Sequence, residues 1–247
     1  MAVSDILKSV EKNEELEAHE LESGSTGGGF VNKGGVYPMT IEKAFFTETK
    51  KGGVQLDLHF GGENMFEAKM YPVIVKNGKK VTTYTIKGKA VSLGDYKLLK
   101  QLLFVTNGKP MDLSDLTLKQ EEITYKSFGK DITVDAETCE DLVGKQVNIG
   151  VRLSERYAYD SEAGEVDKTQ LLTNSDGDVL YDKNIYSVYS QSGKTATEII
   201  KKQDATQIEK DREFLEGEKG IKRVKLEAAT FDDDDASDGF SEDDLDF

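Results

Sequence analysis

GVYPMTIEKAFFTETKKGGVQLDLHF, residues 35–60, decides the fold. Its second half alternates strictly: Val54, Leu56, Leu58 and Phe60 are apolar, while Gln55, Asp57 and His59 are polar. Side chains on a strand point to opposite faces in turn, so this period predicts a half-buried β-strand. KKGG at 50–53 places two glycines where a tight turn needs positive φ, which predicts a hairpin. Val36 to Thr49, with Tyr37, Ile41, Phe45 and Phe46, then reads as its long partner strand.

Further on, Gly61-Gly62 ends the second strand, Met65 to Val75 reads as a third, and Asn77-Gly78 is another hairpin signal before Val81 to Ile86. The period then changes. Leu93, Tyr96, Leu98, Leu99, Leu102, Leu103 and Val105 fit one amphipathic helix, with Ser92 as its expected cap. Residues 106–140 are mixed and acidic and read as a loop-rich insertion. Val147, Ile149, Val151 and Leu153 alternate again. Tyr157 and Tyr159 open a hairpin whose far arm is Val166 to Leu172. A turn at NSDGD, 174–178, leads to a last strand, Val179 to Tyr189. Residues 195–216 read as helical and charged, and KGIKRVKL, 219–226, is a short basic stretch.

Three β segments, a helix, then further β segments predict an all-β dominated chain. The order suggests an OB-fold: a five-stranded Greek-key barrel with a helix between strands 3 and 4, extended by helical N- and C-terminal segments. SH3-like barrels and sandwiches share this strand content. Val3, Ile6, Leu7, Val10, Leu16 and Leu21 mark a helix that runs into the flexible composition ESGSTGGG, 22–29. The expected organisation is therefore a helical arm with its linker over 1–29 and a barrel domain over 30–194. A charged helical extension follows over 195–231, and then an acidic tail over 232–247.

The tail, DDDDASDGFSEDDLDF, holds eight Asp, one Glu and no Lys or Arg. Like charges at this density repel, and little apolar surface offsets the entropy of ordering, so the tail is expected to stay disordered. Phe240, Leu245 and Phe247 nonetheless punctuate it. Acid with spaced apolar anchors fits a segment that docks into basic, greasy pockets, with Phe240, Asp243, Asp244, Leu245, Asp246 and Phe247 as its partner-binding residues. Of the net charge of −15, the tail carries −9 and residues 1–24 carry −5, which leaves 25–231 at −1. A near-neutral body between acidic ends does not exclude a polyanion ligand.

Within that body, residues 67–100 hold eight Lys against Glu67 and Asp95. Tyr71 and Tyr84 lie among them. If Phe66, Ala68 and Met70 face inward, Lys69 and Tyr71 face outward. Lysines neutralise phosphates and aromatic rings stack on bases at about 1–3 kcal/mol each, so such a surface suits single-stranded nucleic acid. The candidate contacts are Lys69, Tyr71, Lys76, Lys79, Lys80, Tyr84, Lys87 and Lys89, joined by Arg152, Tyr157 and Tyr159. The bland alternative is a solubilised hairpin with tyrosines packed inside. An acidic tail tethered to a cationic groove would compete with nucleic acid and lower non-specific affinity.

Other chemistry finds little material. One cysteine, Cys139, gives no internal disulfide and no Cys-based zinc site, and its acidic neighbours in ETCED raise rather than lower its pKa. His19 and His59 are the only histidines, and His59 is expected to be exposed. SGKT, 192–195, is not a phosphate loop, because the position five before Gly193 is Val188; Thr195 or Thr197 is better read as a helix cap. NSDGD fails as a calcium loop, because position one would be Leu172. No metal, cofactor or catalytic residue is expected, and the chain does not read as an enzyme. Its start lacks the basic and apolar regions of a signal peptide, no run is long enough to span a bilayer, and the expected setting is the cytoplasm.

The segment 35–60, the helix at 92–105 between β segments, and the Phe-terminated acidic tail together resemble a bacteriophage single-stranded DNA-binding protein of the OB-fold type. The resemblance implies a protein that coats and protects transient single strands in DNA replication, recombination and repair. It implies recruitment of polymerase, helicase or primase through the tail, with Phe247 as anchor. The single cysteine excludes the zinc-containing variety. A homodimer is compatible with it. Two other readings stay open: an acidic interaction module that inhibits or mimics DNA toward a host DNA-binding protein, and a structural virion or assembly protein.

Overall fold

The computed structural model describes residues 2–10, 31–63, 65–86, 89–127, 130–160 and 164–227. In chain order the elements are α1 (Val3–Lys8), β1 (Gly35–Glu48), β2 (Val54–Gly61), β3 (Phe66–Lys76), β4 (Lys79–Val81), β5 (Thr83–Ile86), β6 (Lys89–Ser92) and α2 (Gly94–Asn107). There follow β7 (Leu118–Ser127), β8 (Lys130–Cys139), β9 (Gln146–Glu155), β10 (Tyr157–Asp160), β11 (Glu165–Leu171), β12 (Tyr181–Ser190), α3 (Ala196–Ile200) and α4 (Gln207–Glu216). The chain is mostly antiparallel β. By its internal contacts it divides into two units: Met1–Glu155 with Tyr181–Arg223, and Arg156–Leu180 with the segment from Val224.

In the first unit the sheet runs β12-β9-β1-β2-β3-β4, and β8 joins β1 and carries β7 beyond it. β1 is long enough to serve two partners. Its first half, Gly35 to Thr40, pairs with β9, and from Thr40 to Glu48 it pairs with β2. A register shift between Ile41 and Lys43 marks the bulge where the strand bends from one partner to the other. Among the described residues no ladder joins β3 to β12, so the sheet does not close by hydrogen bonds. α2 instead packs against both β3 and β12.

The inner face is the one the alternation predicts. Ala44 and Phe46 pair with Leu58 and Leu56, and these with Ala68 and Met70. All six are buried, together with Ile149 and Val151 of β9 and Leu98, Leu99, Leu102 and Leu103 of α2. Asn77 and Gly78 have φ of 52° and 74°, the paired positive values of a tight hairpin turn.

Several expectations change. α2 is not capped by Ser92, which is buried on β6; its N-cap is Leu93, with no side-chain hydrogen bond. The segment 106–140 is not loop-rich, because β7 and β8 form a ten-pair hairpin within it. The first helix is not a free arm over Val3–Lys8: Val3, Ile6 and Leu7 are buried in the main core. The rest of that predicted helix lies outside the described residues. Residues 196–216 form two helices, and α4 packs on β1 and β9 as part of the first unit. Thr195 caps α3 in a capping box with Glu198, as the sequence suggests.

The second unit contains the hairpin β10–β11. No apolar side chain of its described residues is buried, and Tyr159 and Val166, directly paired, are 62% and 52% exposed.

Candidate nucleic-acid interface

The alternation that buries one face of β1, β2 and β3 turns another set outward. Across the three strands the outward rows are Lys43, His59 and Glu67, then Phe45, Asp57 and Lys69. Tyr71 is the next outward residue on β3 and is 40% exposed. Its backbone N–H donates to Asp95 Oδ2 of α2 at 2.7 Å, which fixes β3 to the helix beneath while the ring stands at the surface. Burial raises the Asp95 carboxyl above its ordinary range, against that hydrogen bond.

Lys69 is exposed, and its Nζ lies 3.7 Å from Asp57. Asp57 is 2% exposed and also accepts from Gln55 Nε2 at 2.6 Å. Burial pushes its pKa up, opposed by the Gln55 hydrogen bond and by Lys69. His59 is not the exposed residue its alternation suggests. Its ring centroid lies 5.7 Å from Phe45 and 5.3 Å from Tyr125, with Nδ1 3.5 Å from Glu67. Burial lowers its pKa, against the pull of Glu67 and Asp57. What covers it is the hairpin β7–β8, which builds a small second core of Phe45, Ile123 and Ala136 on the outer face. Lys43 Nζ donates to Thr124 O at 2.6 Å along the same seam. The outer face therefore has a covered part, toward β1, and an open part, toward β3.

The open part leads to a basic end. Lys76 stands directly opposite Lys79, and Lys80 opposite Val75. Lys76 and Lys79 are exposed and Lys80 is half-buried. Like charges in cross-strand register repel, so this pair is unfavourable by itself. The β1–β2 turn carries Lys50 and Lys51, both exposed, to the same place. A Cβ on Gly53 would lie 2.6 Å from Val73 O, so that turn abuts β3 just before the second lysine tip. The sequence reading passed over Lys50 and Lys51. A signal was available: in a run of consecutive hairpins the first and third turns lie at the same end of the sheet, so KKGG and NGKK had to be neighbours.

The remaining candidates are scattered. Arg152 faces outward from β9, but its Nε donates to Gly220 O at 2.9 Å, and its guanidinium lies 5.8 Å from the Tyr186 ring and 5.5 Å from Phe214. That side chain fastens α4 and does not extend the Lys69 face. Lys100 is likewise buried, with Asp112 at 3.0 Å. Tyr84 and Lys89 belong to the hairpin β5–β6, and Lys87 lies outside the described residues. Tyr157 and Tyr159 belong to the second unit, where Tyr157 Oη donates to Lys225 O at 2.8 Å. Tyr186 and Tyr189 are core residues, and the Tyr189 hydroxyl donates to Asp211 of α4. Phe240, Asp243, Asp244, Leu245, Asp246 and Phe247 lie outside the described residues.

Cys139 is buried, and its thiol is pushed up to about 12 by burial and then by Asp141, which leaves it unreactive at neutral pH. Among the described residues no three His, Cys, Asp or Glu side chains are grouped to hold a metal, and no helix is long and apolar enough to cross a membrane. No protein-family model, curated protein or solved structure matches the chain.

Proposed function

We propose that this chain is a single-stranded DNA-binding protein of the phage type. In this reading it coats transient single strands and recruits replication proteins, such as polymerase, helicase or primase, through its acidic C-terminal tail. The observation that carries the reading is the open outer face of β3. Lys69 and the exposed Tyr71 ring lie there in sequence with two adjacent turns that bear Lys50, Lys51, Lys76, Lys79 and Lys80. Cations that neutralise phosphates beside a ring that stacks on a base form the minimal platform for a single strand. Strand order supports an OB-type barrel: β1 shared between β2 and β9, a helix between β3 and β9, and β12 on β9. On this reading the β7–β8 hairpin is an insertion, and α2 bridges the β3–β12 gap. The protein needs no cofactor for this role.

The test is a fluorescence titration of the full chain, and of residues 1–231, with labelled dT oligomers at two salt concentrations. Binding that weakens with salt and tightens when the tail is removed is expected, because the tail competes for the cationic face. No binding by either form at low salt would sink the reading in favour of a protein-only acidic module.

A further inference from the structure

Hairpin β10–β11 has no core of its own. Its register sets Tyr159 opposite Val166 and Tyr157 opposite Leu171, and Tyr157 and Tyr159, two apart on one strand, share a face. Glu165 and Asp167 take the other face. Tyr159, Val166, Leu180 and Leu226, all of the second unit, make four of the eight large apolar side chains that stand exposed among the described residues. A lone two-stranded hairpin is marginal in water and needs a third strand or a packed layer to hold it.

The chain brings the start of that strand. Among the described residues β11 pairs with β10 alone, so one of its edges is open. Tyr157 Oη donates to Lys225 O at 2.8 Å, near the base of the hairpin. Glu227 N–H donates to Lys168 O at 3.1 Å, and its carboxylate lies 3.3 Å from Lys168 Nζ. Backbone and side chain agree that Glu227 stands opposite Lys168. From Lys225 to Glu227 the chain moves toward the hairpin turn, whereas β11 runs away from it, so the two are antiparallel. In this register Ala229 falls opposite Val166, and Phe231 follows on the same face, on the side of Tyr159.

We propose that residues 228–231, Ala-Ala-Thr-Phe, form the third strand of this unit and lay Phe231 on the Tyr159–Val166 face. Charge selects this occupant. Residues 156–180 carry six acids against Arg156 and Lys168, which disfavours a nucleic-acid strand and the aspartates from Asp232 onward alike. The four residues between Glu227 and Asp232 are uncharged, and the last is aromatic. This strand also fixes the root of the acidic tail at the turn end of the hairpin, whose own acids hold the aspartates off it. It forms whether or not the chain binds nucleic acid.

Residue-by-residue amide exchange of the full chain is the test. Ala229 N–H would face Val166 O, and Val166 N–H would face Ala229 O. Relative to their unfolded rates, both should exchange at least about tenfold more slowly than Leu245, while Ala228 and Thr230, which point away, should not. In Ala229→Pro, which lacks the donor, Val166 should lose that protection. Phe231→Ala should weaken it and Phe231→Tyr, which keeps the ring, should not. Exchange at Ala229 as fast as at Leu245 overturns the strand, and so does protection of Val166 that survives Ala229→Pro. Protection that fades on dilution would assign the face to a second copy and overturn it as well.

Discussion

Hairpin β7–β8 closes over Phe45, whereas hairpin β3–β4 carries Lys76 opposite Lys79 at its tip. Both leave the same sheet, and they differ in what they cover and in the sign of the charges they hold in register. On β7–β8, Thr124 and Thr133 hydrogen-bond across the ladder at 2.9 Å, Lys119 pairs with Glu121 at 2.9 Å, and Thr138 donates to the same Glu121. Those groups are matched and the hairpin's apolar residues form a local core, although Glu122 faces Asp135 across the ladder. On β3–β4 the facing pair is cationic, Lys76 opposite Lys79. The two hairpins therefore differ in the sign of their facing like charges and in whether a local core seals them to the sheet, and the substitutions below separate the two cases.

The largest effect should come from Phe45→Ala. Phe45 is fully buried between β1 and the second hairpin, and removal of a buried Phe side chain costs about 3–5 kcal/mol. Urea unfolding should show that loss, and amide exchange should accelerate first in β7 and β8. Loss of stability without faster exchange there would mean that the hairpin is held by something other than this contact.

Next is Tyr71→Ala, which should leave stability nearly unchanged, because the ring is on the surface and the strand is fixed through its backbone. Affinity for a dT oligomer should fall by about 1–3 kcal/mol, the contribution of one stacked base. Tyr71→Phe, which keeps the ring, should restore binding. If Tyr71→Phe binds as weakly as Tyr71→Ala, the hydroxyl rather than stacking is at work.

These contrasts also explain what could be read in the sequence. Strands β2, β3 and β9 were legible because one of their faces is buried, which writes period two into the text. The β7–β8 hairpin was not, because its buried apolar residues are few, Ile123 and Ala136 with Cys139 at its end, and Tyr125 and Val134 are only packed beside the first two. Between these the acids of KQEEITYKS and DITVDAETC dominate the composition. Alternation likewise put Lys69 and Tyr71 at the surface, where they are exposed, but gave Arg152 and His59 an openness they do not have. Alternation gives the face on which a side chain emerges and not what later covers that face: α4 over one, β7–β8 over the other.

His59 sharpens the comparison at the seam where the second hairpin sits on the sheet. Burial between Phe45 and Tyr125 lowers its pKa below 6.5, so the unfolded chain takes up the proton first as pH falls. Its contribution is fully present above pH 6.5, and is lost as pH drops through the lower folded-state value. Urea midpoints at pH 7 and pH 5.5 should therefore differ more for the natural chain than for His59→Gln. An equal difference in the two would show that the imidazole gains its proton without disturbing the hairpin.

The smallest effect is the most telling in sign. Lys76→Thr keeps a strand-forming residue and removes half of the like-charge pair. Cross-strand pairs are worth about 0.2–1 kcal/mol, so the variant should be more stable than the natural chain at low salt by that amount. The gain should shrink in molar salt, where the screening length is ~3 Å. The same substitution should weaken binding to dT oligomers, and reduce the slope of log affinity against log salt by about one counterion's worth. A substitution that stabilises the fold while weakening the ligand complex marks a residue kept for the ligand. Stabilisation without any change in binding would put Lys76 among ordinary surface charges, and the cationic platform would then begin at Lys69.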